Sequence, residues 1–449
     1  MMISRPLRKF FWLMQSFFLR HKAIITAAAG GGILVFLGFK NLLPLFASLI
    51  KPTVRIGIIG NYRWGNLPAS VTQKISRGLT KINSDGQPQP DILDHWEIND
   101  SGTIYRLYLQ PDIFWTDGTP VTAWDIHLDL TGVNLQIVDN LTLELQLAEP
   151  YAPLLAVLSR PLFKDNQFGA GDFRIKSVRY HLDYLQALDL TGNKKNLSYR
   201  FYPSLANAWL GFRLGEVDRL ENLPTNPLTD RWQKRINLTS QINNQAYTAL
   251  IFNQNHPLLA DKTLRQALAY GLEQKSASPQ NRALSPISPD SWAYNPKVKT
   301  YEFSPQQAKE MFAKFSQEAT VSGRLELTLG TSEAFLNQAE KIAASWESVL
   351  DIQTNVKVVS AIEPDWQILL IYQEIPDDPD QHALWHSTQD TNISHYSDLK
   401  IDKLLEDGRR TLDMSKRKEI YQDFQRFLAE DLPAIFLEHP VVYNISRRP

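Results

Sequence analysis

Two imidazoles four residues apart, His382 and His386 in the run HALWH, follow closely on Asp377, Asp378 and Asp380. On a helix that spacing puts both rings on one face, where they could hold a metal. The pair lacks the intervening glutamate of a zinc hydrolase helix and no third ligand is evident, so a solvated loop and helix end explains it more simply. No G-x-S-x-G, phosphate loop or dinucleotide fingerprint appears, and the run Gly30-Gly31-Gly32 sits in an apolar stretch. Cysteine is absent, which excludes disulfides, thiolate metal sites, cysteine nucleophiles and attachment through a lipidated N-terminal cysteine. Neither catalysis nor a cofactor or metal is expected. What remains is the chemistry of binding: carboxylates that can pair a cation, and 11 Trp and 16 Tyr of the kind that line cavities and cores.

The elements that must position such groups span 449 residues, more than one compact core usually holds. Lys and Arg number 47 against 48 acidic residues, so neither a nucleic-acid partner nor a solvating acidic tail is indicated. The first fifty residues differ from the rest. Arg5, Arg8, Lys9, Arg20, His21 and Lys22 flank two apolar stretches, of which residues 10–19 are too short to span a membrane and read as an interfacial helix. Residues 23–50 are charged only at Lys40 and read as a transmembrane anchor. The basic residues before it keep 1–22 cytoplasmic and put the large domain outside. A cleaved signal peptide is the alternative; the long basic region and the lack of a clear small-x-small site favour an uncleaved anchor.

Beyond the anchor, strands are expected at 54–59, 103–109, 141–147, 248–252, 325–329, 356–359, 366–372 and 434–437. Helices are expected at 71–79, 150–158, 262–272, 304–315, 335–350, 402–412 and 415–430. Asp117-Gly118 is a turn dipeptide, and Thr122 a good N-cap with Asp125 at the third helical position, as in a capping box. The sum is a mixed α/β chain.

Several pieces, in order, resemble the extracytoplasmic solute-binding family 5, which includes oligopeptide-, dipeptide- and nickel-binding proteins. They begin at Ile75-Ser76-Arg77-Gly78-Leu79 and Asp94-His95-Trp96-Glu97, and the strongest runs from Trp115 through Asp117-Gly118-Thr119-Pro120 to Asp125. Glu149-Pro150-Tyr151, Gly215-Glu216-Val217-Asp218, Phe252-Asn253, Arg265-Gln266-Ala267, residues 289–296 (PDSWAYNP) and Tyr396-Ser397 with Asp402 follow. The chain departs from the family pattern in three places. Only residues 126–137 lie between Asp125 and Val138, so the peripheral insertion looks trimmed. Gly169-Ala170-Gly171-Asp172-Phe173 stands where the family has G-T-G-P-Y. The segment that in peptide binders holds an aspartate for the ligand's amino terminus appears as residues 372–380, in ambiguous register.

The resemblance implies a two-lobed periplasmic-binding-protein fold of type II (cluster C-like), preceded here by the transmembrane helix. The first lobe would take 52–245, with a reduced subdomain at about 71–150, and the second 246–436, with 437–449 returning to the first. Crossing strands are expected near 247–252 and 434–437. The lobes would close like a hinge over a peptide or other small solute and dock on ABC permease subunits, with the chain a monomer. Glu374 or Asp377 would pair the ligand's α-ammonium and an arginine its carboxylate, with Trp292, Tyr294, Trp385 and Tyr396 as aromatic walls. A membrane-anchored ligand sensor or assembly module without a transport role is the alternative; a metal-dependent hydrolase is a weaker one.

Overall fold

A computed structural model describes residues 51–448 except 166, 229–235, 274, 277 and 320–322, together with 12, 14, 16, 17, 19–24, 26–28, 31 and 32. Among the described residues no helix is long and apolar enough to cross a membrane, and most of the expected anchor at 23–50 lies outside them.

The chain opens with β1 (Thr53–Ile59), α1 (Ala69–Ile75), β2 (Thr80–Ile82) and β3 (Pro88–Pro90). Four strands follow: β4 (Leu93–Ile98), β5 (Ile104–Leu109), β6 (Val133–Ile137) and β7 (Thr142–Leu147). Then come the one-turn α2 (Leu154–Val157), β8 (Phe173–His181), β9 (Tyr184–Gly192), β10 (Asn196–Tyr202), α3 (Leu205–Leu214), β11 (Arg219–Leu223) and β12 (Ile236–Ile242). Next are β13 (Ala246–Phe252), α4 (Pro257–Ala260), α5 (Lys262–Tyr270), α6 (Pro305–Glu318), β14 (Glu326–Thr331), α7 (Leu336–Leu350), β15 (Gln353–Val358) and β16 (Ile368–Glu374). The last elements are α8 (His382–Trp385), α9 (Leu399–Arg410), α10 (Met414–Asp431), β17 (Ala434–Glu438) and β18 (Val441–Arg447).

Two large sheets organise them. One runs β12-β18-β11-β1-β10-β9-β8, the other β15-β14-β16-β13-β17, and a four-stranded antiparallel sheet β4-β5-β7-β6 attaches to the first unit. β13 is buried throughout because apolar layers cover both its faces. Leu250 and Phe252 enter one core with Trp346 and Leu268; Tyr247, Ala249 and Ile251 enter the other with Tyr421 and Phe424. This is the period-two alternation of a strand between two helical layers.

The chain passes between the two large sheets at 243–245 and again at 439–440, just outside the strands where crossing was expected. β13 and β17 lie wholly in the five-stranded sheet, because each pairs with its own neighbours along its length. The two connectors are bonded together. Asn243 N–H donates to the Pro440 carbonyl at 2.9 Å, and His439 Nδ1 meets the Ala246 carbonyl at 2.8 Å.

The expected helix at 71–79 stops at Ile75. Beyond it Gly78 passes so close to Ser159 that an added Cβ would sit 2.5 Å from its backbone, and the chain turns into β2. Gly169 and Gly171 have the same role: a Cβ on Gly169 would collide with the Ile75 carbonyl, and Gly171 N–H donates to that oxygen at 2.9 Å. The glycines of this segment are packing residues. Asp125 accepts from both Thr122 N and Thr122 Oγ1, closing the capping box around a single 3₁₀ turn, and Gly118 sits at φ 90° in the turn before it.

Candidate binding cleft

A polar cavity of about 420 Å³ lies where the first unit faces the five-stranded unit, within the usual size range for small-molecule sites. One wall is the turn after α1 with β2, carrying Arg77 and Lys81, together with Asp91. The other is Gln245 and Asp377. Sheet register brings these last two together. Ala246 pairs with Glu374, so the residues beyond leave the sheet side by side, and Ile375 N–H donates to the Gln245 carbonyl at 2.8 Å.

The charges in this cavity are of two kinds. Arg77 is committed: Nε donates to Asp91 Oδ1 at 2.8 Å and Nη2 to the Asp91 carbonyl at 2.6 Å. Lys81 and Asp377 make no ion pair with a described residue. The Asp377 carboxylate opens on the cavity, yet the protein around it, and secondarily Asp378, pushes its pKa above the ordinary carboxylate range. The cavity therefore presents one open cation and one open anion, matching a zwitterionic guest.

The other residues singled out from sequence are distributed unevenly. Glu374 is exposed at the end of β16, where burial and then its charge raise the Tyr62 phenol of the first unit; Tyr372 is raised in the same way. It lies at a rim outside the polar cavity. Trp292 packs against the turn at Gly86, 3.4 Å from where a side chain there would begin, and stacks on Arg417 at 5.5 Å. It belongs to the junction of the two units. Tyr294 is half-buried, its carbonyl accepting from Gln422 Nε2 at 3.3 Å, and it does not line the polar cavity. Trp385 and Tyr396 are corrected from walls to core. They are 3% and 4% exposed, Trp385 packs on Phe436, and the Tyr396 hydroxyl donates to Asp431 at 2.8 Å, so neither has a face left for a guest.

The histidine cluster resolves into pairs. Asp378 binds Arg417 and Asp380 binds Arg409. The His382 and His386 rings stack with centroids 4.1 Å apart, one at the start of the one-turn α8 and the other just past its end. Among the described residues no group of three or more His, Asp or Glu is arranged to hold a metal. Sequence reasoning missed Arg77, Lys81, Asp91 and Gln245 as cavity residues; only Arg77 fell inside a quoted motif, which carried no sign of its direction.

Comparison with known proteins places this geometry. The model of the bacterial extracellular solute-binding proteins, family 5 (middle part) matches residues 127–394. The probable deoxycholate-binding periplasmic protein YgiS of Escherichia coli is 21% identical over 466 aligned positions, covering 84% of each chain. NikZ of Campylobacter jejuni, solved with Ni(L-His), superposes with a TM-score of 0.73 at 19% identity, over 89% of this chain and 94% of that one. AppA of Bacillus subtilis, solved with a nonapeptide, gives 0.70 at 17% identity, over 89% and 95%. The chain has the mixed α/β periplasmic-binding-protein fold of these structures, and it belongs to the bacterial extracellular solute-binding proteins of family 5, a family of non-enzymatic binding proteins.

Proposed function

We propose that this protein is a membrane-anchored extracytoplasmic receptor that captures peptides or similar small solutes between two lobes and hands them to an ABC importer. Residues 52–245 with the C-terminal strand form one lobe and 246–438 the other, turning on the paired connectors at 243–245 and 439–440. A guest held better by the closed form shifts the population toward closure, and closure is the signal to the permease. The observation that carries the reading is the 420 Å³ cavity with Asp377 open on one side and Lys81 on the other. Asp377 pairs the α-ammonium of a short peptide and Lys81 its carboxylate. The oligopeptide-binding names among the relatives support the same class of guest. The apolar run at 23–50 is the anchor, with the chain monomeric.

Calorimetry of the full chain in nanodiscs with di- to pentapeptides tests the capture. Saturable binding that Asp377→Asn weakens supports it; no binding by any peptide, or an unaffected variant, overturns it. The anchor is tested separately by N-terminal sequencing of protein extracted from cell membranes. A mature chain beginning after residue 50 would sink that part.

A further inference from the structure

A second cavity, of about 670 Å³, opens where the four-stranded sheet meets α8 and α9, and it shares no lining residue with the polar one. Its walls differ in kind. Leu130, Val133, Leu147 and Leu154 make an apolar wall on the first unit, while His386, Glu406 and Arg410 face it from the second.

The guanidiniums on the polar wall stand in ion pairs, although the buried Arg409 Nε has no hydrogen-bond partner among the described residues. Arg410 bridges Glu149 at 2.7 Å and Glu406 at 3.9 Å; Arg409 pairs with Asp380 at 3.0 Å and lies over the Tyr151 ring. His386 is different. It is 6% exposed, and the Thr388 backbone N–H donates to its Nδ1 at 3.2 Å, which leaves the proton of the neutral ring on Nε2. That buried Nε2 has no hydrogen-bond partner among the described residues; Glu406 Oε1 stands 3.5 Å away without forming a bond. A buried N–H left unpaired is costly, so a group that satisfies it gains more than an ordinary hydrogen bond would give.

The unpaired donor and the nearby acceptor together define the guest. A hydroxyl can accept from Nε2–H and donate to Glu406 at once. A carboxylate would meet Glu406 as a like charge beside arginines already neutralised by Asp380 and Glu149, and an ammonium has no lone pair for Nε2–H. His382 offers no compensating cation, since burial, Arg409 and His386 lower its pKa to about 4. We infer that this seam cavity is a second small-molecule site, for an apolar alcohol whose hydroxyl bridges His386 Nε2 and Glu406 while its hydrocarbon body rests on the Leu130–Val133–Leu147 wall. It is independent of peptide capture, since Asp377 takes no part in it.

The test titrates cyclohexanol, cyclohexanecarboxylate and cyclohexylamine into the full chain and follows the ¹⁵N imidazole resonances of His386. Cyclohexanol alone should give a saturable shift at Nε2. Leu147→Phe, which fills the cavity from the opposite wall, should weaken it about tenfold, and Asp377→Asn should leave it unchanged. Absence of a saturable shift (the site then holding only water), equal responses to all three probes, or an unaltered response in Leu147→Phe would each overturn the assignment.

Discussion

Asp377 and Asp378 are neighbours in the chain with opposite commitments. Asp378 is gripped by Arg417, whose Nη2 and Nη1 donate to its two oxygens at 2.5 and 2.8 Å, while Asp377 makes no ion pair with a described residue and opens on the polar cavity. Arg417 is buried, stacks on Trp292 and also donates to the Gly408 carbonyl. One carboxylate anchors the segment to α10; the other is left to line the polar cavity.

Neutralising the free carboxylate should cost binding and flatten its pH response. Asp377→Asn is expected to weaken peptide affinity about tenfold at neutral pH. Burial and Asp378 raise the pKa of Asp377, so on acidification the wild-type carboxylate is protonated above the ordinary carboxylate range and affinity falls there. The variant has nothing to titrate. Calorimetry across about pH 4 to 8 distinguishes the two curves.

Removing the anchor should cost stability instead. Arg417→Met leaves Asp378 mostly buried beside Asp377 without its partner, and about 3–5 kcal/mol is expected to be lost. Adding Asp378→Asn should recover much of that loss, because the stranded charge is gone. Chemical denaturation of the single and double variants is the measurement.

Lys275 carries a charge the fold works against. It is 8% exposed, and burial, with Arg282 adding to it, lowers its pKa from 10.5 to about 7. The unfolded chain therefore binds the extra proton between those values, so this residue's contribution to stability rises with pH across that window. Below the lower value the penalty is complete. Lys275→Met is accordingly expected to raise the melting temperature most near pH 6, by about 2 °C per kcal/mol relieved, with the gain fading toward pH 10. Calorimetric melts at the two pH values check it.

Gly169 is a position where a single methyl should be felt. Its alanine variant drives a Cβ into the Ile75 carbonyl, where backbone has no room to yield, and about 1–3 kcal/mol of destabilisation is expected. Thermal melting of Gly169→Ala beside Gly132→Ala separates close packing from backbone conformation, since a Cβ at Gly132 meets nothing within 4 Å.

Much of the five-stranded unit was legible in the sequence. Its helices α5, α6, α7, α9 and α10 repeat their apolar residues at helical spacing, and β13 is apolar but for Thr248. The seven-stranded sheet was largely hidden. β8 places Phe173, Ile175 and Val178 inward, a spacing of two and then three, because the register shifts between Ile175 and Ser177. A bulge of that kind erases the alternation by which a strand is recognised. The cavity was hidden for another reason. Arg77 and Asp91 stand far from Gln245 and Asp377 along the chain, and only the passage between sheets brings them together. Aromatic type misled as well, since Trp385 and Tyr396 are spent on the core.

The return of β18 to the first sheet has a mechanical consequence. Ile56 of β1 pairs with Arg219 of β11, which pairs with Ser446 of β18, so Thr53 and Arg447 emerge on the same side of the sheet. A pull applied between those two residues is borne by the β1–β11–β18 ladder alone. The five-stranded unit hangs off the load path, and such a pull leaves its fold unstressed.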